Sequence, residues 1–340
     1  MGRNVAPRHQ AASGERDVWS SSQRRKRRGG KRGRRWPGIL LVTGILLAVA
    51  VPWAMRPENL RPQKDQLLAF LYQQGHQEGY NAQALLLTDL SNGEAFHSKN
   101  QEAPLLPASL AKLFVVEYAS TLVGPEERGT VTSEALGLVK PDSSMAWLIA
   151  GEYRMEDLFA AMLLPSGNDA AYAVADLCGG MLSPESAPGT QRVEAFLEGL
   201  RGYLQERGYS GTNLYDPSGY DTQSCTTAED LGKVCSRLLE QSWFRELVSQ
   251  NTYTALLPDG SSLIWENTNA FLDPDSAYFN PNVKGIKTGS LEGAYNLVVL
   301  YQQHGKEFLV VSLGSDSDQA RYDAVSQILD TIDESHYLAW

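Results

Sequence analysis

Asn296-Leu-Val-Val-Leu-Tyr-Gln-Gln-His-Gly-Lys-Glu-Phe-Leu-Val-Val-Ser-Leu313 holds two apolar runs, 296–302 and 307–313, on either side of His304-Gly305. β-Branched and aromatic residues flanking a glycine turn are the pattern of a β-hairpin. Working outward, 82–90 reads as a Leu-rich strand, and Ser91-Asn92-Gly93 turns it into a second strand at 94–97. Between these ends the period is helical. Helices are expected from Ala108 to about Leu122, over 155–177 with a break at Pro165-Ser-Gly-Asn168, over 192–208 and over 226–241. A further apolar face, Leu67, Leu68, Leu71 and Tyr72, falls in 65–74, and a last helix spans about 318–332. Strands at both ends with helices between them predict an α+β fold. Its N- and C-terminal strands share one antiparallel sheet flanked by helices, with a mostly helical subdomain beside it.

The formal charge of −10 hides a segregation of signs. Residues 1–35 carry 12 Lys/Arg against 2 Asp/Glu, leaving 18 against 38 for the remainder. The polar, basic 1–35 has the composition of a disordered tail. It abuts an apolar run at 36–55, bracketed by Trp36 and Trp53. At ~1.5 Å rise per residue such a run crosses the ~30 Å hydrocarbon of a bilayer. The positive-inside rule keeps the tail in the cytoplasm and exports the acidic body. The competing reading is a signal peptide cleaved after Ala48-Val-Ala50. The long basic leader, and apolar residues continuing to Met55, favour a retained anchor. Nucleic acid is not expected as a partner, because the basic run lies against a span. The expected organisation is therefore a tail at 1–35, an anchor at 36–55, a linker at 56–64, a domain at 65–335 and a short end at 336–340. Cys178, Cys225 and Cys235 form neither a zinc pattern nor a disulfide framework, and read as small hydrophobes.

No H-E-x-x-H, G-x-S-x-G, Walker or dinucleotide motif occurs, and the five histidines are scattered. No metal or cofactor is expected. What the chain does contain is Pro107-Ala-Ser-Leu-Ala-Lys112 at a helix start. Positions three apart share a helical face, so the Ser109 hydroxyl and the Lys112 amine can meet. A serine needs a base to become a nucleophile, and a lysine serves if burial or a second cation lowers its pKa. Alone the match is weak, since roughly one S-x-x-K is expected by chance in a chain this long. Ser166-Gly-Asn168 is equally cheap, and Ser98-Lys-Asn100 and Ser249-Gln-Asn251 match it as decoys. Lys287-Thr-Gly289 occurs once, with a chance probability on the order of a few per cent. The three in this order are far more specific than any one.

Ordered S-x-x-K, S-x-N and K-T-G motifs mark penicillin-binding proteins and class A β-lactamases. The context here resembles the low-molecular-mass D-alanyl-D-alanine carboxypeptidases. The resemblance is carried by 87–94 leading into 107–112, by 162–171, Asn213-Leu-Tyr-Asp-Pro-Ser-Gly219, 227–231 and Lys284-Gly-Ile-Lys-Thr-Gly289, and covers about 67–329. Three departures stand out. The chain ends at Trp340 without the extra β domain and C-terminal anchor of many relatives, Ser290 follows Lys287-Thr-Gly289, and Cys225 has no assigned family role.

The resemblance implies a membrane-tethered enzyme that removes the terminal D-alanine of peptidoglycan stem peptides through a Ser109 acyl-enzyme, and that is acylated by β-lactams. Lys112 would be the base. Ser166 and Lys287 would protonate the leaving D-alanine while Asn168 orients the substrate amide or Lys112. Thr288 and Lys287 would hold the terminal carboxylate, and the N–H groups of Ser109 and Ser290, next to Gly289, the oxyanion. A class A β-lactamase would need a glutamate in a loop after S-x-N. Glu194 and Glu198 instead share a helix face, and the surroundings of Glu185 do not resemble that class. A non-catalytic sensor would need a cytoplasmic signalling module, for which the short tail leaves no room.

Overall fold

The computed structural model describes residues 79–184 and 186–334. The strand β1 (Ala84–Asp89) turns into β2 (Glu94–Lys99), and a 3-10 turn at Ala108–Leu110 runs into helix α1 (Ala111–Leu122). Next come β3 (Arg128–Val131), α2 (Ser133–Gly137), β4 (Gly151–Arg154), α3 (Met155–Leu163), α4 (Asn168–Leu182) and α5 (Gly189–Glu206). They are followed by α6 (Ala228–Leu238), α7 (Ser242–Val248), β5 (Thr252–Leu256) and β6 (Ser262–Glu266). The chain then forms β7 (Val283–Leu291), β8 (Ala294–Gln303), β9 (Lys306–Ser315) and α8 (Asp318–Glu334).

Five strands make one antiparallel sheet in the order β2-β1-β9-β8-β7, so N- and C-terminal segments meet at the β1–β9 pair. The expected hairpin is β8–β9, with Val298 opposite Val311 and Leu300 opposite Leu309. Alternation decides which face each side chain covers. Leu297, Val299, Tyr301, Phe308 and Val310 pack with Tyr322, Val325, Ile328 and Leu329 of α8. Val298, Leu300, Leu309 and Val311 turn the other way, into the larger core shared with the helices. Both faces are covered, which is why these strands read as unbroken apolar runs rather than alternating ones.

The helix α1 is buried without a break from Ala111 to Ala119. A helix buried on every side has to be enclosed, and α3, α4, α5 and α6 pack around it. Its start is not the α-helix expected from Ala108. Residues 108–110 form a 3-10 turn packed against β7 and β8, and the α-helix begins at Ala111. Lys287-Thr-Gly289 lies within strand β7, just before β8. The predicted tail, anchor, linker, 65–74 helix and 336–340 end lie outside the described residues. Among the described residues no helix is long and apolar enough to cross a membrane. Cys178 and Cys235 are buried, Cys225 is half-buried, and all three are free.

Phe114 is fully buried at the centre of α1, edge-on to Tyr209 at 5.2 Å. Phe114→Ala is expected to destabilise the domain by about 3–5 kcal/mol, read as a lower midpoint at unchanged slope in urea unfolding.

Candidate active site

The described part of the chain brings five separate segments to one small polar cleft of about 90 Å3, lined by Ser109, Asp142, Ser144, Asn168, Ser218, Gly219, Tyr220 and Ser290 among others. Each segment is placed for a local reason. The 3-10 turn carrying Ser109 is tied to the sheet by Asn296 of β8. This fully buried amide donates to the carbonyls of Leu106 and Pro107, both at 2.9 Å. Its oxygen accepts from Gly314 N at 2.8 Å, so one side chain joins β8, β9 and the approach to Ser109.

One 3-10 turn beyond Ser109, the Lys112 amine is enclosed with no solvent exposure. It donates to Ser109 Oγ at 2.8 Å, to Asn168 Oδ1 at 2.8 Å and to the Ser218 carbonyl at 3.0 Å. Three acceptors satisfy an ammonium completely, which is what allows a lysine to be buried at all. Burial pushes its pKa from 10.5 down to about 7, against the opposing pull of Asp216 and then Asp169. Near neutrality the amine is therefore divided between its two forms, and in the neutral form it can accept the Ser109 proton.

Asn168 opens α4, and its own N–H donates to Ser144 O at 2.8 Å. The next residue, Asp169, is fully buried and accepts from the amides of Ala146 and Leu148 at 2.8 and 3.0 Å. This braces the 140–150 loop over the cleft. Ser166 is buried with φ of +63°, and Ala108 just before Ser109 has φ of +48°. Non-glycine residues in the left-handed region are strained, and such strain concentrates at functional sites. The Ser166 hydroxyl has no hydrogen-bond partner among the described residues.

Strand β7 supplies the far wall. Lys287 is 1% exposed and donates to the Thr288 carbonyl at 2.9 Å. Burial, then the Lys112 and Arg321 charges, push its pKa well below the usual range. Thr288 shares a 2.6 Å hydroxyl contact with Thr268, and Ser290 lies exposed at the cleft. Behind the strand, the 4%-exposed Arg321 of α8 donates to Gly289 O at 3.0 Å, Ser290 Oγ at 2.8 Å and Asn296 O at 3.2 Å, and pairs with Asp318. Sequence reasoning did not single out Arg321, Asn296 or Asp216. A lone Arg in an amphipathic helix and a lone Asn in an apolar strand carry no spacing signal. Of the sequence-predicted residues, Ser109, Asn168 and Ser290 line this cleft, and Lys112 contacts Ser109 and Asn168. Lys287, Thr288 and Gly289 lead into Ser290 along β7, and Ser166 lies buried two positions before Asn168. The decoys lie elsewhere, since Ser98-Lys-Asn100 ends β2 and Ser249-Gln-Asn251 follows α7. Glu194 and Glu198 are exposed on α5, with Glu194 paired to Arg201. Glu185 lies outside the described residues. Among the described residues no cluster of side chains could hold a metal ion.

The family model for D-alanyl-D-alanine carboxypeptidases of the S11 peptidase type matches residues 72–317. The chain belongs to this family. It is 27% identical over 264 residues to the D-alanyl-D-alanine carboxypeptidase DacC of Escherichia coli, covering 73% of this chain and 60% of the relative. It is 30% identical over 194 residues to the D-alanyl-D-alanine carboxypeptidase of a Streptomyces species, covering 55% of this chain and 63% of that protein. The chain thus spans less than two thirds of these curated relatives. The crystal structure of the Streptomyces K15 DD-transpeptidase superposes with a TM-score of 0.66 at 25% identity, over 75% of this chain and 97% of that one. The α+β architecture read from the sequence is that of the family.

The third acceptor of Lys112 depends on a glycine. Gly219 has φ of +77°, and a Cβ there would lie 1.9 Å from the Ala108 carbonyl oxygen. Gly208 has a similar φ of +74° in open space. Gly208→Ala is expected to cost about 1–2 kcal/mol from backbone strain alone. Gly219→Ala should cost about 1–3 kcal/mol more through overpacking, and equal losses in chemical denaturation would contradict the tight closure described.

Proposed function

We propose that this protein is a serine D-alanyl-D-alanine carboxypeptidase, cutting the terminal D-alanine from peptidoglycan stem peptides through an acyl-enzyme on Ser109. The observation that carries the reading is the 2.8 Å contact between Ser109 Oγ and a Lys112 amine fully buried and pushed to about 7. Neutral Lys112 takes the Ser109 proton as Oγ attacks the carbonyl carbon between the two D-alanines. The oxyanion is received by the N–H groups of Ser109 and Ser290, a 3-10 turn and an edge strand facing each other. Ser166 and Lys287 relay the proton to the departing amine. Asn168, already accepting from Lys112, has its NH2 group for the substrate amide.

The substrate's carboxylate goes to the wall made by Lys287, Thr288, Gly289 and Ser290. Arg321, permanently charged, stands behind that wall as a fixed positive centre. Arrival of an anion would also draw a proton back onto Lys287, whose charge is suppressed by burial and by its cationic neighbours. Water then cleaves the ester, and an amine in its place would give transpeptidation by the same intermediate.

A β-lactam enters the same cycle and stalls. Asp142 is the acidic side chain among the residues that line the cleft, and it is exposed. We further propose that 36–55 anchors the chain in the membrane, with 1–35 cytoplasmic and the catalytic body outside.

Three outcomes are expected. Ser109→Ala should reduce D-alanine release from a pentapeptide by about a thousandfold or more and abolish the penicillin adduct seen by mass spectrometry. An adduct elsewhere, or rapid penicillin turnover, would overturn the assignment. The acylation rate should rise with pH through about 7, because the reactive form of Lys112 is the deprotonated one. The full chain should sediment with membranes and resist alkaline extraction, whereas a soluble product beginning after Ala50 would mean a cleaved signal.

A further inference from the structure

Asp216 lies in the loop after α5, is 8% exposed, and is absent from the set of residues given a chemical role above. Its carboxylate is used as an acceptor at every contact. Oδ2 takes the Ser218 hydroxyl at 2.6 Å and Tyr220 N at 3.1 Å, and Oδ1 takes Gly219 N at 2.8 Å. The loop is thereby wound around one side chain. At its turn the Ser218 carbonyl meets the Lys112 amine at 3.0 Å, and Gly219 closes on the Ala108 carbonyl, directly before Ser109. One carboxylate thus shapes the surface that both members of the Ser109–Lys112 pair rest on.

We propose that Asp216 is a positioning residue for Lys112, holding the 216–220 loop so that the Ser218 carbonyl aims the amine at Ser109, and placing a negative charge behind that amine. The charged and titratable groups facing Lys112 come from every element around it. Asp216 comes from the loop, Asp169 from α4 and Lys287 from β7, with Arg321 behind Lys287. Tyr172 of α4 faces Asp216 and Asp221, and its phenol is held up to about 12 by burial first and then by those carboxylates, so it does not titrate near neutrality. Of the two acids acting on Lys112, Asp216 exerts the larger pull, with Asp169 second. Removing the Asp216 charge would weaken the protonated form of Lys112, so its deprotonation would move to lower pH.

The proposal deepens the function proposed above and rests on it for one of its two readouts. Acylation of the full chain by benzylpenicillin would be followed against pH for the wild type, Asp216→Asn and Asp216→Ala. In Asp216→Asn the acid limb should move down by about one pH unit, with a modest fall in plateau. In Asp216→Ala the plateau should fall by about tenfold to a hundredfold, as expected when a reacting group loses its aim. A limb in Asp216→Asn that overlays the wild type at an unchanged unfolding midpoint would overturn the electrostatic half. A wild-type plateau in Asp216→Ala would overturn the positioning half. If neither variant folds, Asp216→Glu keeps the charge while displacing it. Its limb should stay in place and its plateau should drop, and an undiminished plateau contradicts the proposal. The 13C titration of Lys112 Cε in the wild type and Asp216→Asn reads the same shift without acylation. A wild type that is never acylated at Ser109 would therefore defeat the function while leaving this test intact.

Discussion

An amine with no solvent exposure has to be fully hydrogen-bonded, and this requirement on Lys112 organises the centre of the molecule. Its three acceptors come from the 3-10 turn, from the start of α4 and from the loop after α5. Each must be held from behind. Asn296 fixes the turn to β8, Asp169 braces the 140–150 loop over the start of α4, and Asp216 winds the loop that bears Ser218. Helix α1 meets the same demand, because it is buried without a break from Ala111 to Ala119 and so keeps solvent from the amine. The desolvation that makes burial costly also lowers the pKa, and the two nearby carboxylates stop the fall at about 7. The proposed base strength is thus a balance between burial and two acids.

The opposite wall has a different electrostatic character. Lys287 is buried beside Lys112 and within the field of Arg321, so three cations crowd a region where few can be charged together. Arginine keeps its proton under such conditions and lysine gives it up. The free site therefore holds its permanent positive charge one layer behind the cleft, delivered through the backbone of Gly289 and the hydroxyl of Ser290. An incoming carboxylate would meet donors already aligned, without first having to strip a solvated ammonium.

Much of the sheet was legible because β8 and β9 are covered on both faces and β1 runs into a turn signal that leads to β2. The strand β7 was not, since two lysines and two glycines within Val283–Leu291 break any apolar pattern. Those residues are there because the strand forms a wall of the site and passes within contact of Pro107, where a Cβ on Gly289 would lie 2.9 Å from the carbonyl oxygen. The four-residue strands β3 and β4 are too short and polar to show a period. The β5–β6 pair did carry a signal, alternation around Asp259-Gly260, that went unread. Among the site residues, those in spaced motifs were found. Arg321 and Asn296 were missed because each acts alone and matters for what it reaches across the fold. Asp216 sat inside the quoted 213–219 segment, where its role in winding the loop shows only once its contacts to Ser218, Gly219 and Tyr220 are seen.

That reach has a consequence for the newly made chain. Asn296 contacts Leu106 across 190 positions, and Ser218 contacts Lys112 across 106. Contacts so distant in sequence close late, after the loops between them have been drawn in. No partly synthesised chain could hold Lys112 dry and aimed, so its serine would be chemically silent until β8 has docked. Covalent labelling of Ser109 would then report that the whole domain has finished folding, and the molecule would carry its own quality-control mark.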